Sequence, residues 1–246
     1  GDPDFGDVPV AALTDPEYLR GRAMEINPEV ISPAGTVLPG LESTDTTHFS
    51  IIDGDGNAVA LTYTLNWEFG SGVVVDGAGF LLNNEMDDFS AKPGVPNKFG
   101  VVGGDMNAIV GGKRMLSSMS PTILLKNGDP VVVVGTPGGS TIFTTVFQVI
   151  LNLFDYAMSA DEAVNATRFH HQLPEAQLIR YDNDRSISAG LRKQLESYGY
   201  RVEANAWGAL GDAQLVFRDA NGQLQAASDQ RSTGVAQVIN LPPRVE

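Results

Sequence analysis

The sequence predicts an α+β fold, in which sheets carry packed helices, and three observations predict it. Two pairs of β-like runs come early, at 48–52 with 58–64 and at 121–126 with 130–134, each pair joined by a Gly-containing turn, which is the signature of β-hairpins. A largely apolar segment of helical length follows at 141–156. Three short β-like runs then close the chain, at 200–204, 213–218 and 224–228. Strands first, helices next and strands last is the order of segregated layers rather than of a βαβ repeat.

Taken in order, residues 1–45 differ from the rest. Thr14-Asp15-Pro16-Glu17 has capping-box spacing, with Thr14 as the cap and a short helix expected through about Ala23. Asn27-Pro28, Ser32-Pro33 and Leu38-Pro39-Gly40 then break the backbone repeatedly, as an irregular exposed leader would. From Thr46 the pattern is β. The turn Asp53-Gly54-Asp55-Gly56-Asn57 lacks the glycine after Asn57 and has Thr64 where a calcium loop places its bidentate Glu, so it reads as a turn. A Gly-rich region (69–79) and a long loop from Lys92 to Gly112 come next, and loops of that length often serve as binding loops or lids. The second hairpin turns at Asn127-Gly128-Asp129, and Gly135-Thr136-Pro137-Gly138-Gly139-Ser140 leads into the apolar helix, read as buried. A short helix is expected over 161–168, and an amphipathic one over 186–198 with Ile187, Leu191, Leu195 and Tyr198 on one face.

With 246 residues, 42% of them hydrophobic and 19% charged, the chain is globular and long enough to bury most of its apolar surface. A formal net charge of −14 argues against nucleic acid and against anionic lipid as partners. The absence of cysteine excludes a thiolate nucleophile, disulfides and thiolate metal sites. His48, His170 and His171 are the only histidines, and an adjacent pair cannot form the spaced helical zinc motif, so no metal is expected and no cofactor is implied. No targeting signal or apolar run of membrane-spanning length is present, and Gly1-Asp2-Pro3-Asp4-Phe5 reads as mid-protein sequence.

The chemistry centres on Thr46. A cut between Asp45 and Thr46 would give this threonine a free α-amine beside its hydroxyl. That amine, with an unperturbed pKa of about 7.7–8.0, is a suitable general base for a hydroxyl nucleophile. Thr46-Thr47-His48-Phe49-Ser50, Thr62-Tyr63-Thr64-Leu65-Asn66, Asn83-Asn84-Glu85-Met86-Asp87-Asp88-Phe89-Ser90, Leu116-Ser117-Ser118-Met119-Ser120-Pro121-Thr122 and Pro137-Gly138-Gly139-Ser140 together carry a resemblance. In that order and spacing they resemble the γ-glutamyltranspeptidases over essentially the whole chain.

The resemblance implies an N-terminal-nucleophile αββα sandwich, two stacked, mainly antiparallel sheets between helical layers. It implies a precursor that cuts itself before Thr46, so that 1–45 is the tail of a large subunit and 46–246 the catalytic small subunit. Thr64 then matches the residue that hydrogen-bonds the nucleophile. Asn66, Glu85 and Asp88 match acceptors for a substrate ammonium, and Ser117 and Ser118 match hydroxyl donors to its carboxylate. An arginine from the large subunit completes that clamp in the family, and no residue here corresponds to it. Gly138 and Gly139 match the oxyanion hole, and Phe99 the aromatic of a lid over 93–100. His48 reads as structural rather than catalytic. Trp67-Glu68 and Met115 depart from the usual pattern, which bears on acceptor choice. The implied activity is γ-glutamyl transfer from glutathione or a related donor to water or an amino-acid or peptide amine, in the periplasm or outside the cell. A glutaryl (cephalosporin-type) acylase or a non-catalytic uncut relative remains the alternative.

Overall fold

The computed structural model describes residues 2–24, 46–172, 175–183, 185–206 and 208–239. The proline-rich leader from Asn27 and the Asp45–Thr46 junction lie outside the described residues.

Near the start, α1 (Val10–Leu13) and α2 (Pro16–Met24) are separated by a sharp break. The expected cap is corrected by one position. Asp15 Oδ1 accepts the backbone N–H groups of Glu17 and Tyr18, while Thr14 closes α1 and its hydroxyl donates back to Val10 O. Asp is an effective cap, and Pro16 occupies the first helical position where no N–H is needed.

β1 (Thr46–Ile52) and β2 (Ala58–Thr64) form the first hairpin, with Thr46 opposite Thr64 and Ile52 opposite Ala58. Its turn is built by the Asp53 carboxylate, which accepts the N–H groups of Asp55 and Asn57 and the Asn57 side-chain amide. β3 (Thr122–Lys126) and β4 (Asp129–Gly135) form the second hairpin through Asn127 and Gly128, both at positive φ, the conformation that a two-residue hairpin turn demands. β4 pairs with β8 (Gln214–Arg218), and β8 with β9 (Leu224–Ser228), giving the antiparallel order β3-β4-β8-β9.

Layering follows from β4, where Val132, Val133 and Val134 are buried on both faces. Val132 and Val134 join Leu215 and Ala227 in a core closed by α3 (Ile142–Phe154) and α4 (Ala160–Asn165). On the opposite face lies the β1–β2 hairpin, with the buried His48 ring over Gly135, where a Cβ would stand 2.2 Å from it. His48 Nδ1 and Nε2 meet the hydroxyls of Thr62 and Ser50, and Ser50 Oγ donates to Gln214 O, so this histidine ties the two sheets. Burial pushes its pKa down to about 4 and keeps the ring neutral at neutral pH, in keeping with a structural role. Hairpin, sheet and helices thus form stacked β, β and α layers of an α+β sandwich.

Two expectations are revised. α3 is buried on one face only: Val146, Val149 and Leu153 face the core, whereas Phe143, Phe147 and Phe154 are exposed. Among the described residues one strand pairing is parallel. β6 (Leu178–Tyr181) and β7 (Arg201–Ala204) run parallel, with α5 (Ala189–Ser197) between them, and β5 (Phe169–His171) adds antiparallel to β6. The β5 and β6 runs are too short to stand out by alternation. Gln148 of α3 secures β5 through both its amide ends, to Phe169 N and O. α4 is capped by Ser159, whose hydroxyl and Glu162 complete a capping box.

A buried charge network holds these pieces together. Arg168 pairs with Asp229 at 2.6 Å, and Arg231 pairs with Asp182 at 2.6 Å and with Asp229 at 2.9 Å. The guanidiniums also donate to the carbonyls of Val164, Ala166 and Leu210, while the carboxylates accept the N–H groups of Arg168, Leu210 and Ala213. Burial opposes charge on Asp229, but Arg168 and Arg231 hold its carboxyl below the ordinary range. Removing one partner leaves buried charge uncompensated. Asp229→Ala is therefore expected to destabilise the full-length protein by about 3–5 kcal/mol, read as a lowered urea midpoint.

Candidate active site

The hairpin register puts Thr46 and Thr64 side by side, and their hydroxyls share a hydrogen bond of 3.1 Å. Thr64 Oγ also accepts the Asn66 N–H at 2.9 Å, which fixes its rotamer. Asn66 itself is buried and sits at φ 75°, a left-handed conformation that Asn tolerates better than most residues. This turn redirects the chain at the end of β2 and aims the Asn66 amide at Asn84 O, 3.3 Å away. Asn84 N–H in turn donates to Leu65 O, so the next segment is stitched to β2.

That segment is a 3₁₀ turn, Glu85–Asp88, which carries both acids expected in the site. Both are half-buried. Burial raises the pKa of Glu85, and burial followed by the charges of Glu85 and Asp87 pushes Asp88 up to about 7. A half-buried acidic pair without a cation on it is disfavoured as charge, which is the environment a cationic ligand would relieve. Asp87, not read as a site residue, fastens the loop opposite: its carboxylate accepts Lys98 N–H, and its carbonyl accepts the Asn97 amide.

That loop (93–100) closes on itself through Asn97, whose side-chain oxygen accepts the N–H groups of Phe99 and Val101. Phe99 is buried against Gly139, at whose φ of +54° a Cβ would stand 2.8 Å from the ring. Gln172 Nε2 donates to Phe99 O and ties the loop to the strand end after β5. Lys98 Nζ lies 4.1 Å above the Trp67 ring, a cation–π contact that joins the loop to the residue after Asn66. Trp67 thus packs on loop 93–100.

Gly138 and Gly139 lie between β4 and α3, as the sequence implied. Gly138 adopts φ 136°, and its carbonyl accepts both the N–H and the hydroxyl of Thr141. Behind it stands Gly211, whose Cα is 3.2 Å from where a Gly138 Cβ would be. A Cβ on Gly211 (φ +79°) would meet Thr136 Oγ at 2.7 Å and Thr145 Oγ at 3.0 Å. Thr136 Oγ accepts Asp212 N–H and donates to Pro137 O, so the glycine loop is buttressed from below by residues 211–212.

Ser117 and Ser118 follow Leu116 in irregular chain, where Ser117 Oγ accepts Met119 N–H and Ser118 O accepts the Ser120 hydroxyl. Upstream, Arg114 binds Asp2 and Asp4 of the N-terminal segment at 2.6 Å each, an anchor that sequence reading missed. A cavity of about 120 Å³ opens between the acidic turn and loop 93–100; Asp88, Asn97, Asn107 and Leu116 are among its walls, and Thr46 is not. The structure therefore joins Thr46, Thr64, Asn66 and Asn84, the residue before the acidic turn, in one hydrogen-bonded series, and brings Phe99 onto Gly139. The glycine loop is linked to β1 less directly, through His48 on Gly135.

The stacked sheets with helices packed on them are the fold of the N-terminal-nucleophile hydrolases. Residues 1–239 match the family model described as gamma-glutamyltranspeptidase. The glutathione hydrolase proenzyme of Pseudomonas aeruginosa is 57% identical over 239 residues, 97% of this chain and 42% of its own length. A solved γ-glutamyltranspeptidase from Pseudomonas nitroreducens, complexed with L-DON, is 54% identical with a TM-score of 0.74, covering 79% of this chain and 100% of its own. A cephalosporin acylase structure from Bacillus halodurans gives a TM-score of 0.79 at 25% identity, covering 98% of this chain and 41% of its own. The chain belongs to the γ-glutamyltranspeptidase family, and it spans less than half the length of the proenzyme it matches.

Gly211→Ala would force a side chain into Thr136 and Thr145 at a positive φ. It is expected to cost about 1–3 kcal/mol of stability in the full-length protein, measured by chemical unfolding.

Proposed function

We propose that the full-length protein cuts itself before Thr46 and then transfers γ-glutamyl groups from glutathione or a related donor. The supporting observation is the Thr46–Thr64 hydroxyl pair, hydrogen-bonded in series to Asn66 and to Asn84 at the head of the acidic turn. The Thr46 α-amine takes the hydroxyl proton as Oγ attacks the γ-carbonyl carbon. Gly138 and Gly139 N–H groups hold the oxyanion, where one such donor is typically worth about 2.7–4 kcal/mol. The leaving amine departs with a proton, leaving a Thr46 ester. Water or an amino-acid or peptide amine then attacks that ester and releases Thr46.

In the same reading Asn66, Glu85 and Asp88 accept the donor's α-ammonium, Ser117 and Ser118 donate to its α-carboxylate, and Phe99 covers it. The acidic pair favours a donor that has the amine over a glutaryl donor that lacks it, despite the likeness to a cephalosporin acylase. Residues 1–45 then form the end of the large subunit. Phe49, Ile51, Val59, Leu61 and Tyr63 expose an apolar outer face on the hairpin, which suits burial against that larger partner. No helix among the described residues is long and apolar enough to cross a membrane; a periplasmic or extracellular location is proposed from the family alone.

Thr46→Ala is expected to abolish both self-cleavage and γ-glutamyl turnover, the latter by several orders of magnitude as loss of a covalent nucleophile does. Retained turnover would refute the assignment. The Asp88 carboxyl, held up to about 7, must be ionised to accept an ammonium. KM for a γ-glutamyl anilide should therefore rise as pH falls through about 7, and steady-state kinetics on a glutaryl anilide should lack that rise.

A further inference from the structure

The head of an amino-acid substrate carries two charges, so the groups that meet them must stay at a fixed separation. Here those groups come from segments that share no sheet or long helix: the acidic turn 85–88 and the irregular stretch 116–120. Asn107 touches both. Its Nδ2 donates to Asp88 O at 2.7 Å, and its Oδ1 accepts Leu116 N–H at 2.9 Å, one residue before the serine pair. Its own carbonyl accepts Ser90 N–H at 2.9 Å, so the acidic turn is gripped on its far side as well. The residue is 7% exposed, and a 3₁₀ turn, Asp105–Asn107, presents it.

A side-chain amide donates from its nitrogen and accepts at its oxygen within one short planar unit. That chemistry matches a carbonyl on one side and an N–H on the other. Gly103 leaves the room required: a Cβ there would stand 2.0 Å from Ser90 Oγ and 3.7 Å from Asn107 Nδ2. We propose that Asn107 is the positioning residue that sets the spacing between the ammonium-binding and carboxylate-binding halves of the donor site. The proposal rests on the γ-glutamyl reading above. It assigns no contact with substrate to Asn107; the residue acts through Asp88 and Ser117.

Asn107→Leu removes both bonds, and Asn107→Asp keeps an acceptor for Leu116 N–H while turning the Asp88 side into acceptor against acceptor. In the full-length protein, kcat/KM is compared for γ-glutamyl-p-nitroanilide and glutaryl-p-nitroanilide, with self-cleavage monitored by gel. Expected is a fall of about tenfold or more in the γ-glutamyl to glutaryl ratio for Asn107→Leu. A smaller fall in the same direction is expected for Asn107→Asp, with self-cleavage retained. A general loss of stability would lower both donors together and leave the ratio intact, and that result would overturn the proposal. If Asn107→Leu does not fold, the Asn107→Asp ratio decides alone: unchanged from wild type, it overturns the positioning role. Wild-type enzyme without γ-glutamyl turnover would instead sink the function on which the role rests.

Discussion

The register of one hairpin governs the rest. Thr46 faces Thr64 because the Asp53 carboxylate closes the turn on Asn57, and strand pairing then proceeds in step from Ile52–Ala58 to Thr46–Thr64. A slip of one residue would turn Thr46 to the other face and set it opposite Tyr63 or Leu65 in place of Thr64. It would also take His48 off Gly135, which accommodates the ring only because it has no Cβ. Hydroxyl pair and sheet stacking are thus consequences of the same alignment.

Around that hairpin the site is assembled from irregular chain, and side-chain amides and acids do the fastening that ladders do elsewhere. Asn66 reaches Asn84, Asp87 and Asn97 hold loop 93–100, and Asn107 spans two loops. Buried backbone groups in such loops must find partners, and Asn supplies a donor and an acceptor in a short side chain. The glycine loop is secured differently, by close backbone approach: Gly138 on Gly211, and Gly139 under Phe99. On the proposed reading, this arrangement keeps N–H groups facing an oxyanion while an aromatic ring excludes water above it.

Much of this was legible in the chain. Alternation in 46–64 and the Asn127-Gly128 turn announce two hairpins, and the glycines after β4 announce a strand-to-helix turn. The conspicuous motif residues fall on the elements expected of them. What sequence reading missed lacks local signal. Arg168, Asp182, Asp229 and Arg231 look like solvated charges until the fold gathers them, and β5 and β6 are defined by their partners rather than by their own composition. Asn107 sits in a loop where Asn is common, so its two bonds to distant backbone leave no trace in the sequence. At α2 the error was a choice between adjacent capping residues, settled by Asp15 reaching two N–H groups.

Whether Thr46 possesses an amine of its own decides the chemistry proposed for this molecule. Intact mass and N-terminal sequencing of active, purified full-length protein, before and after reaction with an electrophilic glutamate analogue, measure this directly. A separate chain beginning Thr-Thr-His-Phe-Ser, with the adduct on its first residue, is the expected result. Active material in which Asp45 is still joined to Thr46, or an adduct elsewhere, would contradict it.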